Sequence, residues 1–293
     1  MIYAYIFDGM NLSMVKFMVL SVFFFSLMNL GVKFIPHLPP TEIVFFRSLV
    51  SMILSVQYLL RMRINPFKGD LRFLFLRGLA GVAALTLFFM TLQKLPLAGA
   101  ATIQYLSPIF TAVFSFLWLK EKVPVLRWLM FGLSFAGVLV MQGFDHRIPL
   151  DYALLGIVSA MFAGLAYYSI GVLKNKVEPI VVVTWFPMVA LPIMGLVSIF
   201  VWVTPKGTDW LYLIAIGICT QLGQLFMTKA FMAESASAAS GLKYLGLIFS
   251  FLWGFIFFEE TYNLFSLLGM LMIITGVVVN VRAGKTIKPS KNE

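Results

Sequence analysis

Residues Leu95–Leu119 read LPLAGAATIQYLSPIFTAVFSFLWL, a run without one charged side chain. At 1.5 Å per helical residue, a run of this length crosses the ~30 Å hydrocarbon core of a bilayer. The pattern recurs at Phe17–Val32, Gly78–Gln93, Tyr152–Leu173, Pro179–Pro205, Trp210–Thr228 and Thr261–Val281. Only 12% of the chain is charged, against 61% hydrophobic residues, and no soluble domain of 293 residues could cover so much apolar surface. The sequence therefore predicts an all-α integral membrane protein.

Ten spans are expected, at 12–35, 41–61, 70–93, 97–119, 124–142, 150–173, 179–203, 209–231, 236–258 and 263–282. Proline, glycine and charge mark the breaks, as in Pro36-His-Leu-Pro-Pro40, Arg61-Met-Arg-Ile-Asn-Pro66, Lys120-Glu-Lys-Val-Pro124 and Thr204-Pro-Lys-Gly207. These connections are too short for a soluble domain. The first apolar run is long and lacks a small-residue cleavage site, so it reads as a retained span. The net charge of +10 follows from topology rather than from nucleic acid. Fifteen Lys and Arg fall in alternate connections and ends, four (Lys33, Lys94, Arg147, Lys206) on the opposite side, and three (Arg47, Arg77, Lys243) inside spans. That bias places both termini in the cytoplasm and the chain in a plasma or inner membrane. Cys219 is the only cysteine, so no internal disulfide is available.

The chain repeats itself at an offset of 139. Gln104-Tyr-Leu-Ser-Pro-Ile-Phe110 aligns with Lys243-Tyr-Leu-Gly-Leu-Ile-Phe249, Phe116 with Phe255, Glu121 with Glu260, and Gly137-Val138 with Gly276-Val277. This predicts two five-span halves, 1–145 and 146–293. Five is odd, so the second half enters the membrane upside down, and the charge pattern independently puts Glu121 and Glu260 on opposite sides. Inverted halves around a midplane site are an architecture of secondary transporters.

These residues resemble the drug/metabolite transporter superfamily, and within it the EamA-type members with two five-helix domains. The resemblance covers nearly the whole chain. It rests on Pro108, on Trp118-Leu-Lys-Glu121 and Phe257-Phe-Glu-Glu260, on the Gly-Val pairs of the fifth and tenth spans, and on Val44-Phe-Phe-Arg-Ser48. Leu247 stands where the first half has Pro108. The resemblance implies movement of small metabolites, often export of amino acids or related solutes, and does not fix the substrate.

An ionisable group inside a membrane helix costs roughly 3 kcal/mol unless it meets water, a partner or a ligand. Arg47 lies ~9 Å into the second span, and reads either as a contact for a substrate carboxylate or as a structural or snorkelling side chain. Lys243 and Gln104 are repeat-related, each followed by a tyrosine, Tyr244 and Tyr105. The two pairs make a candidate central wall, with cross-bundle hydrogen bonding as the other reading. Arg77, nearer the cytoplasmic end, reads as a snorkelling side chain. Ser26, Asn29 and Lys33 share one face of the first span, and Gln221 and Gln224 one face of the eighth. Polar stripes of this kind turn inward. Trp185, near Pro187, occupies roughly the place of Arg47 in the other half and reads as a stacking residue or as packing. Small-residue stretches at 98–102 and 235–241 suit close or sliding contact. Pro108, Pro187 and Pro192 are expected to kink their helices, and Glu121 and Glu260 to cap loops or pair with bases.

No acid lies near the midplane, and His37 and His146 fall in outer loops, which argues against an intramembrane enzyme. Asp145, His146 and Asp151 match no strong metal motif, and no phosphate-binding loop is present. No cofactor or metal is expected, and the partners expected are a small solute and the bilayer, with a monomer or homodimer as the assembly. The sequence thus predicts a secondary, alternating-access transporter of a carboxylate-bearing metabolite such as an amino acid, and the family resemblance implies export. Uptake of a nucleoside-like or adenosyl solute is the alternative.

Overall fold

A computed structural model describes residues 12–119, 125–144, 147–233, 243 and 245–283. The helices are α1 (Leu12–Phe34), α2 (Pro40–Met62), α3 (Leu71–Lys94), α4 (Leu97–Gln104), α5 (Ser107–Leu119) and α6 (Val125–Phe144). They continue with α7 (Leu150–Leu173), α8 (Pro179–Ser198), α9 (Asp209–Ala233), α10 (Leu245–Phe258) and α11 (Leu264–Ala283). Helices α4 and α5 together make one span, and ten apolar spans result, seven of full length and three shorter. Proline starts many of them: Pro39 and Pro40 at α2, Pro96 at α4, Pro149 at α7 and Pro179 at α8. Its fixed φ suits a first turn, and its missing N–H costs nothing there. Asp70 caps α3 instead, accepting from Arg72 N at 3.1 Å. Within the spans, hydroxyls such as Thr86, Thr102, Thr184, Thr220 and Ser250 bond back to the carbonyl four residues earlier, as an apolar surround requires. The outward surface carries Leu129, Leu139, Leu211, Phe255 and Leu264.

Connections gather at alternate ends. At one end Gln93 Nε2 donates to Leu38 O (3.0 Å), Val203 N to Glu42 Oε2 (3.0 Å) and Arg147 to Thr261 O, while His37 meets Asp209 at 3.0 Å. At the other end Trp185 Nε1 donates to Pro66 O (2.9 Å), and the turns at 64–68 and 175–179 share one crevice. Successive spans thus reverse direction. Helix α1 runs toward the first end and α7 runs away from it, so the two five-helix halves are inverted.

The contacts follow the same symmetry. α1 lies along α9 and α3 along α7, α2 packs on α8, and α6 on α11. At the last interface the correspondence is residue by residue. A Cβ on Gly137 would meet Gly269 O at 2.6 Å and Ile273, and one on Gly276 would meet Met130 O at 2.7 Å and Ser134. The 139-residue offset turns each contact into the other. Two helices related by a two-fold must meet this way, each presenting the same patch.

Two expectations need adjusting. The span at 97–119 is broken at Tyr105–Leu106, because Pro108 has no N–H to donate back to Gln104 O. Pro187 and Pro192 stand inside α8, which continues through both. The span expected to reach 203 stops at Ser198, beyond which the chain turns back so that Val203 N reaches Glu42 and Trp202 packs on Phe46. The start of the ninth span, at 234–242, is outside the described residues.

Candidate functional site

The break in the fourth span matters because of where it falls. Gln104, Tyr105 and Ser107 sit at it and wall a cavity of about 150 Å³ midway between the two ends. The other walls come from Phe25, Ser26 and Asn29 of α1, Leu85 and Phe88 of α3, Tyr167 of α7, Gln224 and Met227 of α9, and Lys243, Gly246 and Ser250. Both halves contribute. The repeat-related pair Gln104 and Lys243 therefore shares one chamber, as do Asn29 and Gln224. Such a volume holds on the order of ten waters or one small metabolite.

Several polar wall residues are held in place. Ser159 Oγ donates its one proton to Ala84 O (2.6 Å) and stands 2.9 Å from the Gln104 amide, which anchors that side chain in the wall. The Lys243 ammonium rests on the ring of Tyr167 at 3.7 Å, and Tyr167 in turn stacks on Phe231 at 5.6 Å. Lys243 has no carboxylate partner among the described residues. Asn29 Oδ1 is buried without a hydrogen-bond partner. The Tyr105 hydroxyl lies so close to α10 that a Cβ on Gly246 would stand 2.6 Å from it. Glycine is needed at 246 for that approach.

The remaining predicted residues fall elsewhere. Arg47 is 1% exposed, with its guanidinium 4.6 Å above the Phe186 ring and outside the central wall. Gln221 spans the α2–α9 interface, donating to Ser55 Oγ at 2.8 Å. Trp185 serves the turn at Pro66 and meets Phe67 edge-on. Lys33 leaves the polar face of α1 to reach Leu95 O (3.1 Å) and Glu260. Pro108 begins α5 behind the cavity wall. Tyr244 and Glu121 lie outside the described residues, as do Asp145 and His146. Among the described residues no group of three metal-ligating side chains occurs.

Arg77 overturns its snorkelling reading. It is 2% exposed and donates through Nη2 to Gln224 Oε1 at 2.9 Å. Gly78 and Gly81 let α8 press onto α3, with Trp185 O 2.8 Å from the position of a Cβ on Gly78. That contact closes the path to the headgroups. Sequence reasoning also missed Tyr167, which has no aromatic counterpart in the first span to betray it.

At the first end of the molecule the two halves are tied together. Glu260 Oε2 accepts from Leu97 N (2.8 Å) and from Tyr262 Oη (2.6 Å), and Oε1 pairs with Lys33. Ala98 N donates to Tyr262 Oη at 3.3 Å. A carboxylate of the second half thus caps a helix of the first, where the helix dipole favours negative charge.

Comparison with known proteins agrees with this architecture. The profile of the EamA-like transporter family matches residues 12–142 and again 151–282. The pseudopaline exporter CntI of Pseudomonas aeruginosa is 32% identical over 273 residues, covering 91% of this chain and 95% of that one. An S-adenosylmethionine uptake transporter of Rickettsia felis is 24% identical over 257 residues, 86% of each chain. A protein of known crystal structure superposes with a TM-score of 0.68 at 16% identity, over 95% of this chain and 100% of that one, which speaks for the fold alone. The chain belongs to the EamA-like transporter family.

Proposed function

We propose that the protein moves a small carboxylate-bearing metabolite, an amino acid or a relative of one, out of the cell by alternating access between its halves, 1–145 and 146–293. The observation that carries this reading is the central chamber. A lysine with no described acidic partner faces amide groups from both halves, at the depth where an uncompensated charge is most costly. An anionic solute supplies the missing charge. Gln104, Gln224 and Asn29 bond its polar groups, and Tyr105 and Tyr167 cover its apolar part. Transport requires no covalent step, and the described residues offer no midplane acid for catalysis. Export is favoured by the likeness to a named exporter at 32% identity. The positive-inside bias puts both termini in the cytoplasm of an inner-membrane protein and the Glu260 end outside.

The aromatic walls, Phe25, Phe88, Tyr105 and Tyr167, also favour a second reading, uptake of an adenosyl compound, in line with the relative from Rickettsia felis. A thermal-shift screen of purified protein against amino acids, organic acids and adenosyl compounds separates the two, since a ligand of the folded state raises the melting temperature. Stabilisation by carboxylates that Lys243→Gln removes is the expected result. Stabilisation only by uncharged solutes, or unchanged by that substitution, overturns the proposal.

A further inference from the structure

A second chamber of about 60 Å³ adjoins the first and shares Leu85, Phe88, Gln104, Tyr167 and Gln224 with it. Its own walls are Arg77, Gly81 and Phe186, with the small residues Ala84, Ala163 and Ala166. Arg77 lines this chamber, and a second guanidinium, outside the lining, rests on the Phe186 ring. Arg47 lies 4.6 Å over the Phe186 ring, and Arg77 Nη1 fills the space a Cβ on Gly81 would take, beside the same ring.

Neither arginine has an acidic partner. The ion pairs of the described residues are Lys33–Glu260 and His37–Asp209, both at the outer end. Glu42, five residues before Arg47, is turned to Val203 N. Arg47 Nε and Nη1 and Arg77 Nε are buried without any hydrogen-bond partner. Gln224 is the one neutral acceptor Arg77 holds. Guanidinium groups do not shed their proton in proteins, so two like charges stand in a low-dielectric site with donors unused. A structural arginine has its donors satisfied and its charge paired. This arrangement lacks only an anion.

We propose that Arg77 forms an anion subsite of the transport path, with Arg47 on Phe186 adding to its positive field, and that the solute carries at least two anionic groups, one met by Arg77 and one by Lys243. The proposal rests on the central-site reading and narrows it to dianionic solutes. Gln224 and Tyr167 line both chambers and so lie between the two charges.

The test compares a diacid with its monoamide, which keeps the chain length and removes one charge. Purified full-length protein is titrated with succinate and glutarate and, in parallel, with succinamate and glutaramate, reading melting temperature and apparent Kd. The diacids bind about tenfold or more tightly than their amides, since a guanidinium–carboxylate contact is charge-assisted and forked. Arg77→Gln brings that preference close to one while monoamide affinity stays within about twofold, and Arg47→Gln lowers it by less. Gly81→Ala, which keeps every charge but takes the room of Arg77 Nη1, lowers the preference too. Arg77→Lys restores part of it, which separates a lost charge from a lost fold. Equal affinities in the unmodified protein, no response to any diacid, stabilisation by chloride alone, or a preference that survives Arg77→Gln overturns the subsite. The central reading fails separately: Lys243→Gln then leaves both diacid and monoamide binding intact.

Discussion

Replacing Glu260 by alanine should open the outer end of the molecule. The Lys33 and Glu260 side chains are 15% and 8% exposed, so the pair is nearly dry. Breaking a buried pair by removing one partner costs about 3–5 kcal/mol. Lys33 keeps some water and its place over the Phe258 ring at 4.9 Å, which puts the loss at the low end, about 3 kcal/mol. Losing the cap on Leu97 N adds about 1 kcal/mol. Even the lower figure shifts the balance between sealed and open outer end by about a hundredfold. A cysteine introduced at Ser250, in the cavity wall, with Cys219→Ser as background, reports that balance. An impermeant maleimide applied from the outer side labels it slowly in the parent protein and about a hundred times faster in Glu260→Ala. Glu260→Gln, which keeps an acceptor for Leu97 N, falls between. Lys33→Met combined with Glu260→Gln costs less than Glu260→Ala, because no buried charge is left unpaired. Equal labelling rates in parent and Glu260→Ala would refute the seal.

Gly137→Val and Gly276→Val should destabilise alike, by about 1–3 kcal/mol each through overpacking, because their contacts exchange under the two-fold; a marked loss in one variant only, read by thermal melting, contradicts the reciprocal interface. Burial, then the Glu260 carboxylate beside it, holds the Tyr262 hydroxyl far above the ordinary tyrosine value of 10.0. The folded protein therefore keeps a proton that the unfolded chain loses above about pH 10, so this contribution is complete below that pH and fades above it. Tyr262→Phe flattens the alkaline fall in stability measured by denaturant unfolding, and matching slopes sink the assignment. Cysteines at Lys176 and Lys206 should label from opposite faces of the membrane, Lys206 from outside; labelling from one face ends the inverted topology.

The spans were legible because the bilayer imposes a length on every uncharged run, and proline marked where many of them begin. The partnership of Gln104 with Lys243 was legible for a different reason: a repeat that inverts must bring matched positions to one midplane. Pro108 announced a disturbance but not its form, since sequence cannot tell a bend from a break into α4 and α5. What escaped depended on packing between helices distant in the chain. Arg77 counts as close to an end along α3, yet α8 settles onto Gly78 and Gly81 and shuts it in. Gln221 and Trp185 showed the right polarity for a site, but Ser55 and the Pro66 carbonyl use it. Tyr167 gave no signal at all, because the tyrosines of its helix, Tyr152, Tyr167 and Tyr168, follow no single face and the offset pairs Tyr167 with Met28.

The symmetry of the chain and the asymmetry of the structure fit together in one way. At α6 and α11 the halves meet through contacts that the 139-residue offset exchanges, so nothing there distinguishes inside from outside. At the Glu260 end they meet through Glu260 on the first residue of α4, which is one-sided. The same offset carries Glu260 to Glu121 and Leu97 to Ala236, residues outside the described region. A cap of the same kind between that pair would close the cytoplasmic end. Two such caps held at once would leave the cavity no exit, and neither would leave it open from both sides. Under the proposed alternating access such caps would be held in turn, with the α6–α11 contact, which the offset maps onto itself, common to both states.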